Sequence, residues 1–526
     1  MVDEPPMVDS PRRRRRGARG GKKRHKARCA PEIRNDDNED LCLRIQMEGM
    51  ESAVGILRVA CESLDRLTWK TTLAAIVLAA KKMPVDDRET AQGVDCLLGH
   101  LAPNLSKIRD YRTCWQLCWA LGKFITIGEH AAPTLIHMCG AQTACWIPLE
   151  FTTQMLTNTL WALGRLASDE TRRKLYKEEF DQVPRFAVML VMECTKQVTS
   201  LSSQCLSNSL WAVARLHLRC GAAQLFLDAA VEDMCSGRDL CVFTPQALAN
   251  ILWALAELGT SGIFPNQKSR SGDVAVTPER VCAVFARASQ ERLAEFHPME
   301  IAMLANAMVK LLGQGQSQDA SISDCNDLFL AKLAKEAQRR LPDFSAQGVS
   351  NIAWALAKRG LLYQRKRCAA AMSFVEAAAQ QAFGDLRGFT PQAVANLMWA
   401  VVRLRPAPPI VKQFAALVCR DATERISEFR WRDLSGVASA LAYGHVRTRE
   451  GELFAHDLVA SATDQCGQLP TQVMLNIALS ALRLHVDPVG VTRLVDKIAV
   501  HVQVRPLNRA DLRQWTEIHK LAAMLT

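Results

Sequence analysis

The chain has 526 residues, of which 49% are hydrophobic and 23% are charged, so it has enough apolar material for a folded core. No run approaches the ~18 consecutive apolar residues of a membrane-spanning helix, and no apolar segment near Met1 predicts a secretory route. Only four Tyr are present and alternating β-branched runs are few, which disfavours strands. The composition therefore predicts a soluble, all-α protein without a membrane partner.

The first feature along the chain is a basic segment. Residues 12–28 contain eleven Lys or Arg and no acid, which accounts for the whole formal net charge of +11. We expect residues 1–44 to form a disordered tail, with an acidic stretch at 36–40 before a helical cap at 45–100. Such a tail suits nucleic-acid backbones, nuclear import or an organelle presequence, and a solvated arm without a partner is the alternative.

The cysteines and the lack of catalytic motifs argue against disulfides, a metal site and catalysis. Eighteen Cys without a signal peptide predict reduced thiols. Cys114 and Cys118 lie one helical turn apart among apolar neighbours, which favours packing over metal binding. The chain lacks G-x-x-x-x-G-K-[ST], H-E-x-x-H and G-x-S-x-G motifs. We therefore expect no catalysis, no cofactor and no metal site.

An internal repeat dominates the remainder. Residues 243–258 read F-T-P-Q-A-L-A-N-I-L-W-A-L-A-E-L and recur closely at 389–404. Further copies begin at Phe151, Leu201 and Phe344, degenerate ones at Tyr111, Phe296, Phe429 and Leu469, and a weak one near Leu67. The Trp position of the motif recurs about every 45 residues. It is occupied by Trp119, Trp161, Trp211, Trp253, Asn306, Trp354, Trp399, Ser439 and Leu479. Residues 101–526 are thus predicted to hold about nine or ten repeats, with loop inserts near 259–280 and 312–325.

Each copy begins like a helix. The apolar residue before the cap and the one at the fourth helical position, such as Phe243 with Leu248, form a staple, and Pro245 suits the first helical position. The predicted N-cap residues are Thr152, Ser202, Thr244, Ser345 and Thr390. A second, less regular helical run separates the copies. Because neither helix can bury its apolar face alone, the units must stack, which predicts an α-solenoid of tandem helix-turn-helix repeats.

Residues 341–360, L-P-D-F-S-A-Q-G-V-S-N-I-A-W-A-L-A-K-R-G, resemble the octotricopeptide repeat, whose pattern is close to L-P-x-x-x-x-Q-x-L-A-N-x-L-W-A-L-A-R-L-G. Related arrays are the heptatricopeptide repeats beside RAP domains and the helical RNA-editing substrate-binding complex subunits. The resemblance covers roughly residues 100–485. The family's P-P-P-E-W opening is absent, and we see no RAP domain before Thr526.

The resemblance implies a function and a compartment. It implies binding of single-stranded RNA, about one nucleotide per repeat, in the mitochondrion or plastid. The expected roles are RNA processing, stability, translation or ribosome assembly, with a ribonucleoprotein or ribosomal assembly as a further partner. The nucleus and the cytoplasm are the alternative compartments.

At 100° per residue, Gln246, Asn250, Trp253 and Glu257 share one stripe beside the apolar face of their helix. Amides at the equivalent positions suit base edges, and cations suit phosphates. The base-contacting candidates are Gln116, Asn158, Asn208, Asn250, Asn351, Asn396, Asn476, Gln154, Gln204, Gln246, Gln347 and Gln392. The phosphate-contacting candidates are Lys123, Arg165, Arg215, Lys310, Lys358, Arg403 and Arg483. The stacking candidates are Trp161, Trp211, Trp253, Trp354 and Trp399.

Each of these positions also has a structural interpretation. A cation near a helix C-terminus is favoured by ~0.3–1 kcal/mol without any ligand. Gln can help to cap its helix, Asn can bond to neighbouring backbone, and Trp can pack between repeats. An armadillo- or HEAT-like peptide-binding scaffold is therefore the second function class. In armadillo importers the Asn follows the Trp by one turn, whereas here it precedes the Trp by three residues, which favours RNA.

Overall fold

A computed structural model describes residues 35–82, 88–108, 110–124, 130, 134, 151–167, 182–260, 262, 276–313, 319–359, 368–504 and 507–524. These residues form 22 α-helices and no strand. In chain order the first eleven are α1 (Asn35–Glu48), α2 (Ala53–Glu62), α3 (Trp69–Lys81), α4 (Arg88–Leu101), α5 (Tyr111–Lys123), α6 (Thr153–Ala167), α7 (Gln182–Lys196), α8 (Ser203–Arg215), α9 (Gly221–Ser236), α10 (Pro245–Thr260) and α11 (Pro278–Ser289). The others are α12 (Pro298–Leu312), α13 (Ala320–Arg339), α14 (Ala346–Arg359), α15 (Cys368–Gly384), α16 (Pro391–Leu404), α17 (Pro408–Glu424), α18 (Trp431–Gly444), α19 (Arg449–Asp464), α20 (Thr471–Leu484), α21 (Pro488–Val504) and α22 (Arg509–Ala522).

The helices stack in two rows. The motif-bearing helices and the final helix α22 form the first row, and we call them A helices. They are α3, α5 and the even-numbered helices from α6 to α22, and each packs against the next one. The B helices are α2, α4 and the odd-numbered helices from α7 to α21, and they pack on one another and on the A helices. Apolar side chains of both rows form one continuous buried core. The predicted all-α solenoid is therefore confirmed.

The predicted helix starts are confirmed at every strong copy of the motif. Thr244 Oγ1 accepts a hydrogen bond from the Ala247 N–H at 3.2 Å. The other four predicted N-caps make the same bond at 3.2–3.3 Å. Helices α10, α12 and α16 begin with proline, and the staple residues Phe243 and Leu248 are buried. Each such cap contributes about 1 kcal/mol and fixes where its A helix begins.

Two predicted boundaries are corrected by the described helices. Helix α1 begins at Asn35, within the predicted tail, and Asp40 accepts hydrogen bonds from the Thr68 N–H at 2.9 Å and the Thr71 hydroxyl at 2.6 Å. The acidic stretch thus anchors α1 to the start of α3. Helix α13 begins inside the second predicted insert because Asp319 caps it through the Ser321 N–H at 2.9 Å. Residues 1–34, 263–275 and 314–318 lie outside the described residues, and with them the basic segment, most of the first insert and part of the second.

Arginines at the B-to-A turns link consecutive repeats, a feature that we did not predict from the sequence. Arg238, Arg292 and Arg340 precede the A helices α10, α12 and α14, and their guanidinium groups donate to backbone carbonyls of the preceding B-to-A turn at 2.6–3.1 Å. The acceptors are Val198, Thr199 and Leu201 for Arg238, Cys241 and Phe243 for Arg292, and Phe296 for Arg340. These contacts fix the position of one A helix relative to the next.

Neighbouring A helices approach very closely at two glycines. A Cβ added at Gly122 of α5 would lie 2.8 Å from the Ala162 Cα of α6. One added at Gly164 of α6 would lie 3.0 Å from the Ala212 Cα of α8. Both glycines stand three residues after the motif Trp and both alanines one residue after it. The same register is therefore repeated from one pair of A helices to the next.

This close approach predicts opposite effects for two Gly→Ala substitutions. Gly122→Ala is expected to lower the free energy of unfolding by about 1–3 kcal/mol, because α5 and α6 must move apart. The control is Gly436→Ala in α18, where an added Cβ meets only the Ala395 Cβ at 3.9 Å. There the better helix propensity should stabilise by about 0.5–1 kcal/mol. Urea unfolding followed by circular dichroism measures both, and a Gly122→Ala midpoint at or above wild type would contradict the close packing.

Candidate functional site

Four A helices, α8, α10, α14 and α16, each expose one narrow stripe. In α8 the only residues between positions 204 and 215 that are not buried are Gln204, Asn208, Trp211 and Arg215. The equivalent four residues are the only unburied ones over the same span of α10, α14 and α16. We call these the Gln, Asn, Trp and cation positions, and the surface that they form on the A helices the stripe face. Over these spans, the residues that solvent reaches are therefore those at the predicted site positions.

Equivalent positions of successive A helices lie side by side. The indoles of Trp354 and Trp399 have ring centroids 6.5 Å apart. At the cation position, Lys310 Nζ lies 3.7 Å from the Glu257 carboxylate of the preceding A helix, and the Arg403 guanidinium lies 4.5 Å from the Tyr443 ring of the following one. The Trp and cation positions thus form rows that run from repeat to repeat, and the Gln and Asn positions of the same helices form the parallel amide rows.

Five residues of the cation row lie over aromatic rings. The distances from the cationic group to the ring centroid are 4.5–5.7 Å. The pairs are Lys123 with Trp119, Arg165 with Trp161, Arg215 with Trp211, Lys358 with Trp354, and Arg403 with Tyr443. A ring orients a cation through its quadrupole without neutralising it. The aromatic partners Trp119 and Tyr443 were not among our candidates, although Trp119 stands in the Trp register of the sequence.

Burial, and to a smaller extent repulsion between neighbours, disfavours the charged form of three cations in this row. Burial, with the neighbouring Arg165 as the second cause, lowers the pKa of Lys123 to about 8. Partial burial, with the Lys310 cation as the second cause, lowers the pKa of Lys358. Burial also lowers the pKa of Arg403, whose buried Nε has no hydrogen-bond partner among the described residues. The row therefore holds positive charge at a free-energy cost that a bound anion would reduce.

The other two predicted phosphate contacts are paired with carboxylates. Lys310 faces Glu257, and Arg483 donates to Glu517 of α22 at 2.7 Å. Glu257 and Glu517 thus interrupt the positive row at α10 and end it at α22. A phosphate would have to displace a carboxylate to bind at either place.

The amide rows are partly organised by hydrogen bonds within the face. Gln347 donates to Asn351 Oδ1 at 3.0 Å, one turn later in α14. Asn158, Asn208, Asn250 and Asn396 are half-buried and form no side-chain hydrogen bond with another described residue. Asn at this position therefore bonds to a neighbouring amide or is available to a ligand, and the alternative bond to loop backbone is not seen among the described residues.

The indoles also serve in packing. All five stacking candidates are half-buried. Trp161 Cζ3 would lie 3.1 Å from a Cβ on Gly122, and Trp211 Cζ3 would lie 3.2 Å from one on Gly164. One part of each ring thus fills the gap between A helices while another part reaches the stripe face. Stacking on bases stays a prediction.

Other kinds of site find no support in the described part of the chain. No group of three or more His, Cys, Asp or Glu residues there has the arrangement to hold a metal ion, and Cys114 and Cys118 are buried. No described helix combines the length and the apolarity needed to cross a bilayer. Comparison of this chain with protein-family models and with curated proteins found no match. The octotricopeptide resemblance therefore stays a prediction.

Proposed function

We propose that this protein binds single-stranded RNA along the stripe face of its A helices. The observation that carries the proposal is the cation row, in which five residues lie over aromatic rings at one position of the A helices. Like charges held together at partial burial favour a ligand with regularly spaced negative charges. The phosphates of a nucleic-acid strand provide such a ligand.

The other rows supply contacts to the bases. Side-chain amides carry both a donor and an acceptor, so the Gln and Asn rows suit the hydrogen-bonding edges of unpaired bases. The exposed parts of the indoles suit stacking. A duplex would hide those edges, which is why we propose a single strand. The resemblance adds a role in organellar RNA processing, stability, translation or ribosome assembly, and the basic segment at 12–28 adds nonspecific affinity.

The direct test is a binding comparison with the purified full-length chain. Labelled single-stranded RNAs, the same sequences as duplexes, and an extended acidic peptide should be titrated at several salt concentrations. We expect submicromolar binding of at least one single strand, weaker binding of the duplexes, and affinity that falls with salt. Binding of the peptide without any RNA would reject this proposal and favour a peptide-binding scaffold.

RNA affinity is expected to decline as the pH rises through about 8. The pKa of Lys123 in the free protein is lowered to about 8, and a nearby phosphate would raise it by stabilising the ammonium group. The contribution of Lys123 is then complete below the pKa of the free protein and lost as the pH passes the pKa of the complex. One phosphate contact at 0.1 M salt corresponds to about fivefold in affinity. Dissociation constants measured between pH 7 and pH 9.5 give the size of the effect.

Lys123→Arg is the matched control for this titration, because arginine stays charged over the whole range. With the same oligonucleotide, ionisation of the bases contributes equally to both proteins. The variant should lose the part of the pH dependence that belongs to Lys123. Identical pH profiles would show that Lys123 does not meet a phosphate.

A further inference from the structure

Five A helices before α18 carry the same amide pair on the stripe face. The Gln and the Asn stand four residues apart, one helical turn, so that they lie on the same stripe. The pairs are Gln154 with Asn158, Gln204 with Asn208, Gln246 with Asn250, Gln347 with Asn351, and Gln392 with Asn396. Where the two amides are bonded, as in α14, the pair keeps a Gln carbonyl oxygen as an acceptor and an Asn amino group as a donor. The other four helices carry the same two amide groups at the same spacing.

Helix α12 interrupts this series. It carries Met299 at the Gln position, Met303 at the Asn position and Asn306 at the Trp position. Met299 is 52% exposed, so that a thioether meets solvent where the neighbouring repeats present an amide. The Lys310 cation of the same helix faces Glu257. This repeat therefore has neither the amide pair nor the indole of its neighbours, and its cation is paired.

The series also has an end. The amide pair of α20 is occupied by α22, because Gln472 donates to Gln514 Oε1 at 2.7 Å and Gln514 donates to Asn476 Oδ1 at 2.9 Å. Helix α18 has Arg432 and Gly436 at the two amide positions. Three equivalent pairs on α6, α8 and α10 are thus separated from two on α14 and α16 by one repeat without a pair.

We infer that the preferred ligand is a low-complexity RNA tract in which one kind of base recurs. Each of these helices carries one amide pair, and each pair selects one base. Because the pairs are identical, they select the same base. The tract therefore has three like bases, one position of any identity, and two like bases, in the order of the helices. This inference rests on the proposed function and specifies its substrate. The position of any identity, which we call the free position, faces α12.

The first experiment measures the binding of full-length protein to the four homopolymeric oligoribonucleotides and to a mixed sequence of equal length. One homopolymer should bind at least tenfold more tightly than the others. In the shortest oligonucleotide that keeps full affinity, a single substituted base should cost about fivefold or more at five positions and nothing at the position that faces α12. Equal affinity for every sequence overturns the inference while RNA binding stands, whereas no binding of any RNA rejects the proposed function itself.

The second experiment transfers the pair into α12. Met299→Gln combined with Met303→Asn should make the free position select the same base as its neighbours by about fivefold. The matched control is Leu225→Gln combined with Leu328→Asn, the same kind of change on exposed side chains of the B helices α9 and α13, which should leave the substitution profile unchanged. If the α12 variant folds and the position remains free, the inference is wrong. Should it not fold, Asn250→Ala serves instead, and a position facing α10 that keeps its full selectivity overturns the inference.

Discussion

Replacing four residues of the cation row with glutamine is expected to weaken the binding of every single-stranded RNA by about 10²–10³-fold at 0.1 M salt. The four residues are Arg165, Arg215, Lys358 and Arg403. A phosphate contact to single-stranded RNA lowers the slope of log affinity against log salt by about 0.7, so four lost contacts should make the slope shallower by nearly three. Sequence preference should change little, because phosphate contacts carry no base information.

The matched control removes four cations from the B helices. Arg287, Lys335, Lys412 and Arg493 are exposed there, and their replacement with glutamine changes the net charge by the same amount. If this variant loses as much affinity as the stripe-face variant, the binding depends on total charge and not on the cation row. A stripe-face variant that binds as tightly as wild type would place the phosphates elsewhere.

Local chemistry made much of the fold predictable from the sequence. The cap, the proline and the staple act within six residues, so that a motif such as 243–248 specifies its helix start without knowledge of the tertiary structure. The 100° periodicity then placed Gln246, Asn250 and Trp253 on one stripe, and the burial pattern of α10 agrees with that placement. What was predictable is what one repeat determines by itself.

Contacts between repeats were not predictable in the same way. The Lys310–Glu257 pair joins residues that belong to different copies of the motif, and nothing in either copy fixes the distance between them. The bond from Arg238 to the turn before α8 likewise spans about one repeat. An Arg four residues before the staple Phe, as in Arg292 and Arg340, is a signal that the sequence does contain. The hydrogen-bond partners of such an Arg, however, depend on which carbonyl groups the stacking of the repeats brings within reach.

The same stacking decides how far the Trp row is available to bases. A solitary motif would expose its indole, but the ring of Trp354 meets Trp399 of the following A helix and lies beneath its own Lys358 at 4.7 Å. The edge that remains on the stripe face is adjacent to the cation row. A base stacked there would place its own phosphate near that row, so the stacking and phosphate predictions stand together in this repeat.

Loss of the Arg238 guanidinium is expected to destabilise the solenoid more than the loss of any one cation of the cation row. Arg238→Met leaves three backbone carbonyls of the turn before α8 without their donor and leaves the Asp233 carboxylate, only 15% exposed, without its cation. Lost hydrogen bonds to a charged group and an uncompensated carboxylate together correspond to about 2–4 kcal/mol. Urea unfolding should show this loss, and hydrogen exchange should locate it at the starts of α8 and α10.

Two further variants distinguish the effect of the Arg238 hydrogen bonds from the effect of its charge alone. Arg387→Met removes an arginine whose side chain is 73% exposed and bonded only to Glu424 among the described residues, so it should cost no more than about 0.5 kcal/mol. Arg238→Lys keeps the charge but not the planar set of donors that reaches three carbonyls, and its stability should lie between those of wild type and Arg238→Met. Equal stability of the Lys variant and wild type would mean that charge suffices. The turn before α8 positions Ser202, the N-cap of that helix. Hydrogen bonds from Arg238 that act through their geometry therefore also set where Gln204 and Asn208 stand relative to Gln246 and Asn250. The Lys variant should then lose RNA affinity, although every residue of the stripe face is unchanged.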